Sequence, residues 1–193
     1  MHRWPMWLGL LSGLAATAVG FSFFETLEDQ WSAATRYTAR VGFPLLILAY
    51  VARPLNDLLR SDWTRKLLKQ RKWLGLGFAM SHTVHLLAIV MLYRTLGLVP
   101  DAITIIGGGG AYLTMYAMAL TSNRTAMKAL GKRWSYLHWI GIHYLWVVFF
   151  QSYFGRIFEQ GYQAEGIIFS VIAIAAAGVR FVAWRRKRKT AKN

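Results

Sequence analysis

Apolar runs of about 20 residues recur along the chain between short charged segments, and a helix of that length crosses a hydrocarbon core of roughly 30 Å. Six such runs can be drawn, at about 6–24, 37–52, 73–98, 102–121, 135–154 and 166–184. The pattern predicts an all-α fold, a polytopic membrane bundle of six transmembrane helices. It forms a single domain over 1–193, with a basic cytoplasmic tail at 185–193. The second run is short and carries Arg40 near its start. Pro44 is expected in its first turns, where a missing N–H costs least.

Lys and Arg crowd the connections 53–72 and 122–133 and the tail, whereas the alternate connections hold Glu25, Glu28, Asp29, Asp101, Glu159 and Glu165. Cytoplasmic loops are the ones enriched in Lys and Arg, so both termini are expected in the cytoplasm. Trp4, Trp7, Trp73, Trp134 and Trp184 fall near the cytoplasmic ends of the runs and Trp31 on the other side, an aromatic belt that agrees with the charge pattern. The first run follows Arg3 and contains Ala-Ala-Thr-Ala, as a signal peptide would. Its removal would leave an odd number of runs and oppose the charge rule, so a retained anchor is expected.

Composition narrows the chemistry. The 193 residues are 55% hydrophobic and carry a formal net charge of +15. No cysteine is present, which excludes disulfides, thiolate metal sites, iron–sulfur clusters and covalent c-type haem attachment. The basic residues sit beside apolar runs, so they read as orientation signals attracted to anionic membrane lipid and not as a nucleic-acid surface. The glycine run Gly107–Gly110 lacks the strand and helix of a phosphate-binding loop and reads as a place of close helix packing, with close approach of a flat ligand as the alternative. Asn123-Arg-Thr125 matches a glycosylation sequon but falls on the expected cytoplasmic side.

Four of the five histidines lie in two runs, His82 and His85 in the third, His138 and His143 in the fifth; His2 is terminal. Ionisable groups at membrane depth are costly and usually face the bundle interior for a functional reason. The plain alternative is a neutral imidazole donating to a nearby carbonyl or hydroxyl. On a helix His82 and His85 lie roughly 60° apart and share a face, whereas His138 and His143 lie roughly 140° apart. The acidic residues are all in connections or near run ends, which argues against a hydrolytic zinc site. A four-histidine metal site would need all four rings at one level. Haem needs only one or two axial imidazoles in a dry pocket, and Phe78, Met80, Met115, Tyr116, Trp139, Trp146 and Phe150 could line it. Counted from Trp73 and Trp134, His82 and His143 each lie roughly 13 Å deep on like-directed helices. That predicts a shared level, with His85 roughly 12 Å deeper than His138.

The segments RKWLGLGFAMSHTVH (Arg71–His85) and ALTSNRTAMKALGKRWSYLHWIGIHYLW (Ala119–Trp146) resemble the ferric-reductase-like transmembrane superfamily. They look in particular like the branch formed by the haem-binding membrane subunit of the periplasmic methionine-sulfoxide reductase system. The resemblance covers about 37–184. Its most specific parts are Arg-x-x-Leu-Gly-Leu with a His fourteen positions after the Arg, and Leu-Thr-Ser followed by Leu-Gly-Lys-x-Trp-x-x-Leu-His. It implies one or two haems b, with quinone or FMN as further candidates, in the bacterial inner membrane. Electrons would pass from quinol or a cytoplasmic flavin reductase to a periplasmic redox partner.

Carried over residue by residue, the resemblance places ligands on His85 and His138, and Arg71 on a family arginine. The family's second fifth-span histidine falls on Gln151, a poor iron ligand. His85 and His138 therefore rank first as metal ligands by resemblance, and His82 with His143 competes by depth. Arg71, Lys132 and Arg133 would lie where haem propionates or a quinone headgroup find cations. The expected function is an electron-transfer subunit of an oxidoreductase system, with no catalytic residues of its own. Against it stand a histidine-based metal or proton transporter and a scaffold subunit with degenerate haem sites.

Overall fold

The computed structural model describes residues 3–190; positions 1–2, with His2, and 191–193, the end of the basic tail, lie outside the described residues. The described residues form seven helices and no strand: α1 (Trp4–Phe23), α2 (Leu27–Leu59), α3 (Asp62–Leu96), α4 (Ala102–Leu120), α5 (Arg124–Leu130), α6 (Lys132–Arg156) and α7 (Gln163–Thr190). Five of them, α1 to α4 and α7, are long and apolar enough to cross a membrane. The sixth expected span, α6, falls short on composition, because Ser135, His138, His143, Gln151 and Ser152 dilute its apolar residues.

Most helices outrun the apolar stretches that announce them. The second begins at Leu27, where Thr26 Oγ1 accepts from Asp29 N at 3.1 Å, an N-cap that satisfies one orphan donor. Pro44 therefore lies mid-helix and not in the first turns, and a second proline, Pro54, follows it. The third begins at Asp62, eleven residues before the apolar run expected from Trp73, and closes on Gly97 at φ 63°. The last continues through the basic segment to Thr190, so the described part of the tail is helical.

Three helices, α1 to α3, meet through bare backbone. The buried face of α1 is Pro5, Gly9, Gly13, Ala16 and Gly20. A Cβ on Gly9 would strike the Gly77 carbonyl, one on Gly77 the Pro5 carbonyl, and one on Gly20 would stand 2.8 Å from Ala34 N. Small residues permit this approach, and membrane helices use it because water gives them no hydrophobic drive toward each other.

The α2 helix has to be finished by its neighbours. Pro54 lacks an N–H, so the Tyr50 carbonyl four residues earlier loses its helical donor. Arg180 Nη1 of α7 supplies it at 2.8 Å, and the guanidinium lies 4.3 Å from the Tyr50 ring centroid. Beside it Arg71 Nε donates to Ala49 O at 3.1 Å, and Arg186 Nη1 to Leu58 O at 3.0 Å.

These contacts fix the directions. The α1, α3 and α6 helices run one way and α2, α4 and α7 the other: Ala49–Arg71 with Thr38–His85, and Tyr50–Arg180 with Phe43–Phe169, set α2, α3 and α7. Gly9–Gly77 with Gly13–Ser81 set α1, Gly107–Tyr144 with Thr121–His138 set α4 against α6, and Trp146–Ala173 with Tyr153–Phe169 set α6 against α7. The basic connections gather at one pole. At the opposite pole Glu165 accepts from Arg40 of α2 and, at 3.0 Å, from Arg156 Nη1 of α6. Large apolar side chains point outward from α1, α3, α4 and α7, for example Leu11, Leu87, Leu113 and Val171, as lipid contact requires.

Of the four glycines expected to pack, only Gly110 does. Its Cβ would stand 2.8 Å from the Tyr144 hydroxyl, whereas Gly107, Gly108 and Gly109 have open space. The run forms a π turn, Ile105–Gly109, and Tyr144 Oη of α6 donates to its Gly107 carbonyl at 2.9 Å. Asn123 is occupied as an N-cap, its Oδ1 accepting from Ala126 N at 2.8 Å.

Candidate functional site

A cavity of about 1220 Å³ opens between α2, α3, α4, α6 and α7 toward the basic pole. That is above the roughly 300–1,000 Å³ usual for small-ligand sites. Trp73, Phe78, Met115, Trp134, Trp139 and Leu145 give it apolar walls, and His138 faces into it. Seven cations line it, Arg53, Lys69, Arg71, Lys72, Arg124, Arg180 and Lys187, against the single carboxylate Asp57. Lys132 and Arg133 are exposed and do not contribute to the lining.

Neighbouring hydroxyls and carbonyls set which nitrogen each imidazole leaves bare. Thr38 Oγ1 lies 2.6 Å from Ala34 O and 2.8 Å from His85 Nδ1. A hydroxyl has one proton and Ala34 O can only accept, so His85 Nδ1 donates and Nε2 keeps a free lone pair. A metal-binding histidine is ordinarily oriented in this manner, through a hydrogen bond at its other nitrogen. His138 mirrors it: Thr121 Oγ1 donates to Ala117 O at 2.7 Å and accepts from His138 Nε2 at 3.2 Å, leaving Nδ1. His138 also stacks on Trp134, centroids 4.1 Å apart. In His143, Nδ1 donates to Trp139 O at 2.6 Å, and the ring meets Tyr50 edge-on at 5.6 Å, outside the cavity lining.

His82 is the most enclosed of the four, 5% exposed. Its ring occupies the space a Cβ at Gly42 would need, and Nδ1 has no hydrogen-bond partner. Leaving such a nitrogen unsatisfied in a protein interior costs on the order of 1–3 kcal/mol. The ring packs against Phe78 at 4.3 Å, His85 at 5.1 Å and Phe149 at 5.1 Å.

The last contact corrects the depth count. His82 stands level with Phe149, six residues beyond His143, so His82 and His143 do not share a level. Three residues further along both helices, His85 comes level with the neighbourhood of Gln151 and Ser152. At the other end Arg71 and His138 line one cavity. The two histidines singled out by the resemblance thus stand at different levels, His138 near the basic pole and His85 toward the Glu165 pole. Arg71 and His85 are fourteen residues apart, which separates the levels by roughly 21 Å. Gln151 is exposed and has no hydrogen bond to either histidine.

Among the described residues no three His, Asp or Glu side chains converge on a point that could hold a bare metal ion. This removes the four-histidine cage. Thr38, Thr121, Gly42 and Arg180 were not legible as site residues; only Pro54, which implies an orphaned carbonyl at Tyr50, hinted that some donor must come to it.

No family model matches the chain, and no solved structure matches it either. The chain is similar to curated proteins named protein-methionine-sulfoxide reductase heme-binding subunit MsrQ. It is 30% identical to that of Cronobacter sakazakii over 138 residues, 58% of this chain and 62% of the relative, so this match spans less than two thirds of that protein. With the Bordetella parapertussis protein it shares 28% over 198 aligned positions, covering 98% of this chain and 87% of the relative. The Yersinia pseudotuberculosis protein is 28% identical over 174 positions, 74% of this chain and 79% of the relative.

Proposed function

We propose that this chain is a b-type haem-binding subunit of the bacterial inner membrane, carrying electrons from a separate donor, quinol or a cytoplasmic flavin reductase, to a periplasmic partner. The observation that carries the reading is the cavity at His138, an apolar chamber with an imidazole in its wall and a cationic rim. It suits a flat, largely apolar macrocycle bearing two carboxylates. A haem supplies, when bound, a one-electron couple at its iron. The imidazole that would hold it in this cavity is His138; His85, whose Thr38 bond keeps Nε2 free, is the corresponding imidazole of the other half.

In this reading α6 is a sixth membrane helix. Ile140, Val147 and Phe154 point outward from it at 56%, 46% and 44% exposure, and its polar residues include the imidazole turned into the cavity. Both termini then lie in the cytoplasm, on the side of the basic pole. Excluding water is the task of the aromatic walls; holding the macrocycle's carboxylates is that of the cationic rim.

The test is an absorption spectrum of the detergent-purified protein. Soret and α bands that shift on dithionite reduction are expected, and their absence after supplementation with haem would end the proposal.

A further inference from the structure

We propose that the chain holds a single haem, at the His138 level with Arg71 and Arg180 receiving its carboxylates, and that Glu165 closes the corresponding place at the His85 level. This rests on the haem reading above and adds a count and an address to it.

Each of the two levels has a pair of arginines from different helices that is fixed by hydrogen bonds. Of the four arginines lining the cavity at His138, the pair is Arg71 of α3 and Arg180 of α7. Each is anchored by a single bond to consecutive α2 carbonyls, Ala49 O and Tyr50 O. A guanidinium has five N–H donors, so each keeps several free. Neither forms an ion pair with a carboxylate of the described residues, and both line the cavity. Two guanidiniums held in place beside an apolar chamber make a receptor for a pair of carboxylates.

On the His85 side the arginines are Arg40 of α2 and Arg156 of α6. Both are already engaged: the two oxygens of Glu165 accept from them, one each. The protein's own carboxylate stands where a ligand's would stand. Space is closed there as well, since His82 and Phe149 pack with centroids 5.1 Å apart between α3 and α6, and His82 fills the notch at Gly42. Gln151, the amide at that level, offers no second imidazole. Among the described residues, imidazole, carboxylate receptor and room coincide near the basic pole.

Haem per chain, measured as the pyridine haemochrome against protein concentration, is expected to be about one. His138→Ala should abolish it and His85→Ala should retain it. A second measurement is independent of how those variants fold: wild-type protein titrated with haem and with haem dimethyl ester, which lacks free carboxylates. The ester is expected to bind on the order of tenfold more weakly or worse. In the Arg71→Gln/Arg180→Gln variant that preference should disappear, because only haem loses affinity. About two haems per chain, or a haem lost with His85 and kept without His138, overturns this inference and leaves the haem reading intact. Equal affinity for haem and its ester in the wild type overturns the assignment to Arg71 and Arg180. No haem at all ends the reading beneath it.

Discussion

The two halves of the bundle tie a histidine to a threonine in the same way but leave opposite amounts of space beside it. In α1 to α3, glycine stripes bring main chains into contact, His85 is tied to Thr38, and His82 is pressed into Gly42. In α4 to α7, helices are held by a few long side chains, Tyr144 to Gly107, Trp146 Nε1 to Ala173 O at 3.0 Å and Trp134 Nε1 to Thr121 O at 2.9 Å, and a chamber stays open beside His138. Small residues remove the space a ligand needs, whereas large aromatic residues prop helices apart. A histidine in a membrane helix thus becomes structural or available according to the side chains of its neighbours.

That contrast can be broken most forcefully at Gly77. Gly77→Val puts its Cβ against the Pro5 carbonyl, where only backbone could yield. Loss of nearly all monodisperse protein in detergent, read by size-exclusion chromatography, is expected. Full recovery would show that α1 does not pack in this way.

Glu165→Gln should be the next largest change. Removing the charge that Arg40 and Arg156 share leaves two half-buried cations facing each other. A loss of about 1–3 kcal/mol is expected, below the roughly 3–5 kcal/mol for fully buried pairs because these side chains are partly solvated. A fall of several degrees in the detergent melting temperature would register it, and an unchanged one would refute the lock.

Thr38→Val sharpens the comparison at a single bond. It should lower stability by about 0.6–1.5 kcal/mol, typical for interhelical hydrogen bonds in membranes. Thr121→Val should cost less, because its 3.2 Å bond to His138 is longer and stands at the cavity. Parallel thermal melts check the order.

Smallest of all, Gly155→Ala meets nothing within 4 Å and relieves helix entropy. A gain of up to about 1 kcal/mol is expected. A destabilised variant would mean that this part of α6 is packed more closely than the structure shows.

Five of the six span positions and the gathering of Lys and Arg at one pole were legible because hydropathy and charge placement act locally. Helix ends were less so, since α2 and α3 continue well into water-facing sequence that carries no apolar signal. The shared depth of His82 and His143 failed for a definite reason. Trp73 and Trp134 served as markers of one interface, yet Trp134 is drawn into a bond with Thr121 O at the C-terminal end of α4. The resulting slip of six residues amounts to roughly 9 Å. Arg71 and His138, both named by the resemblance, line one cavity. The threonines that orient His85 and His138 lie far from them in sequence, and nothing in a lone threonine announces a partner 47 or 17 positions away.

The proline break in α2 also dictates a schedule for biogenesis. The Tyr50 carbonyl is exposed early in translation, but the guanidinium that covers it belongs to a residue 130 positions later. Until the final helix packs against α2, that acceptor lacks the donor that completes it, so an early helix is finished only when the last one arrives.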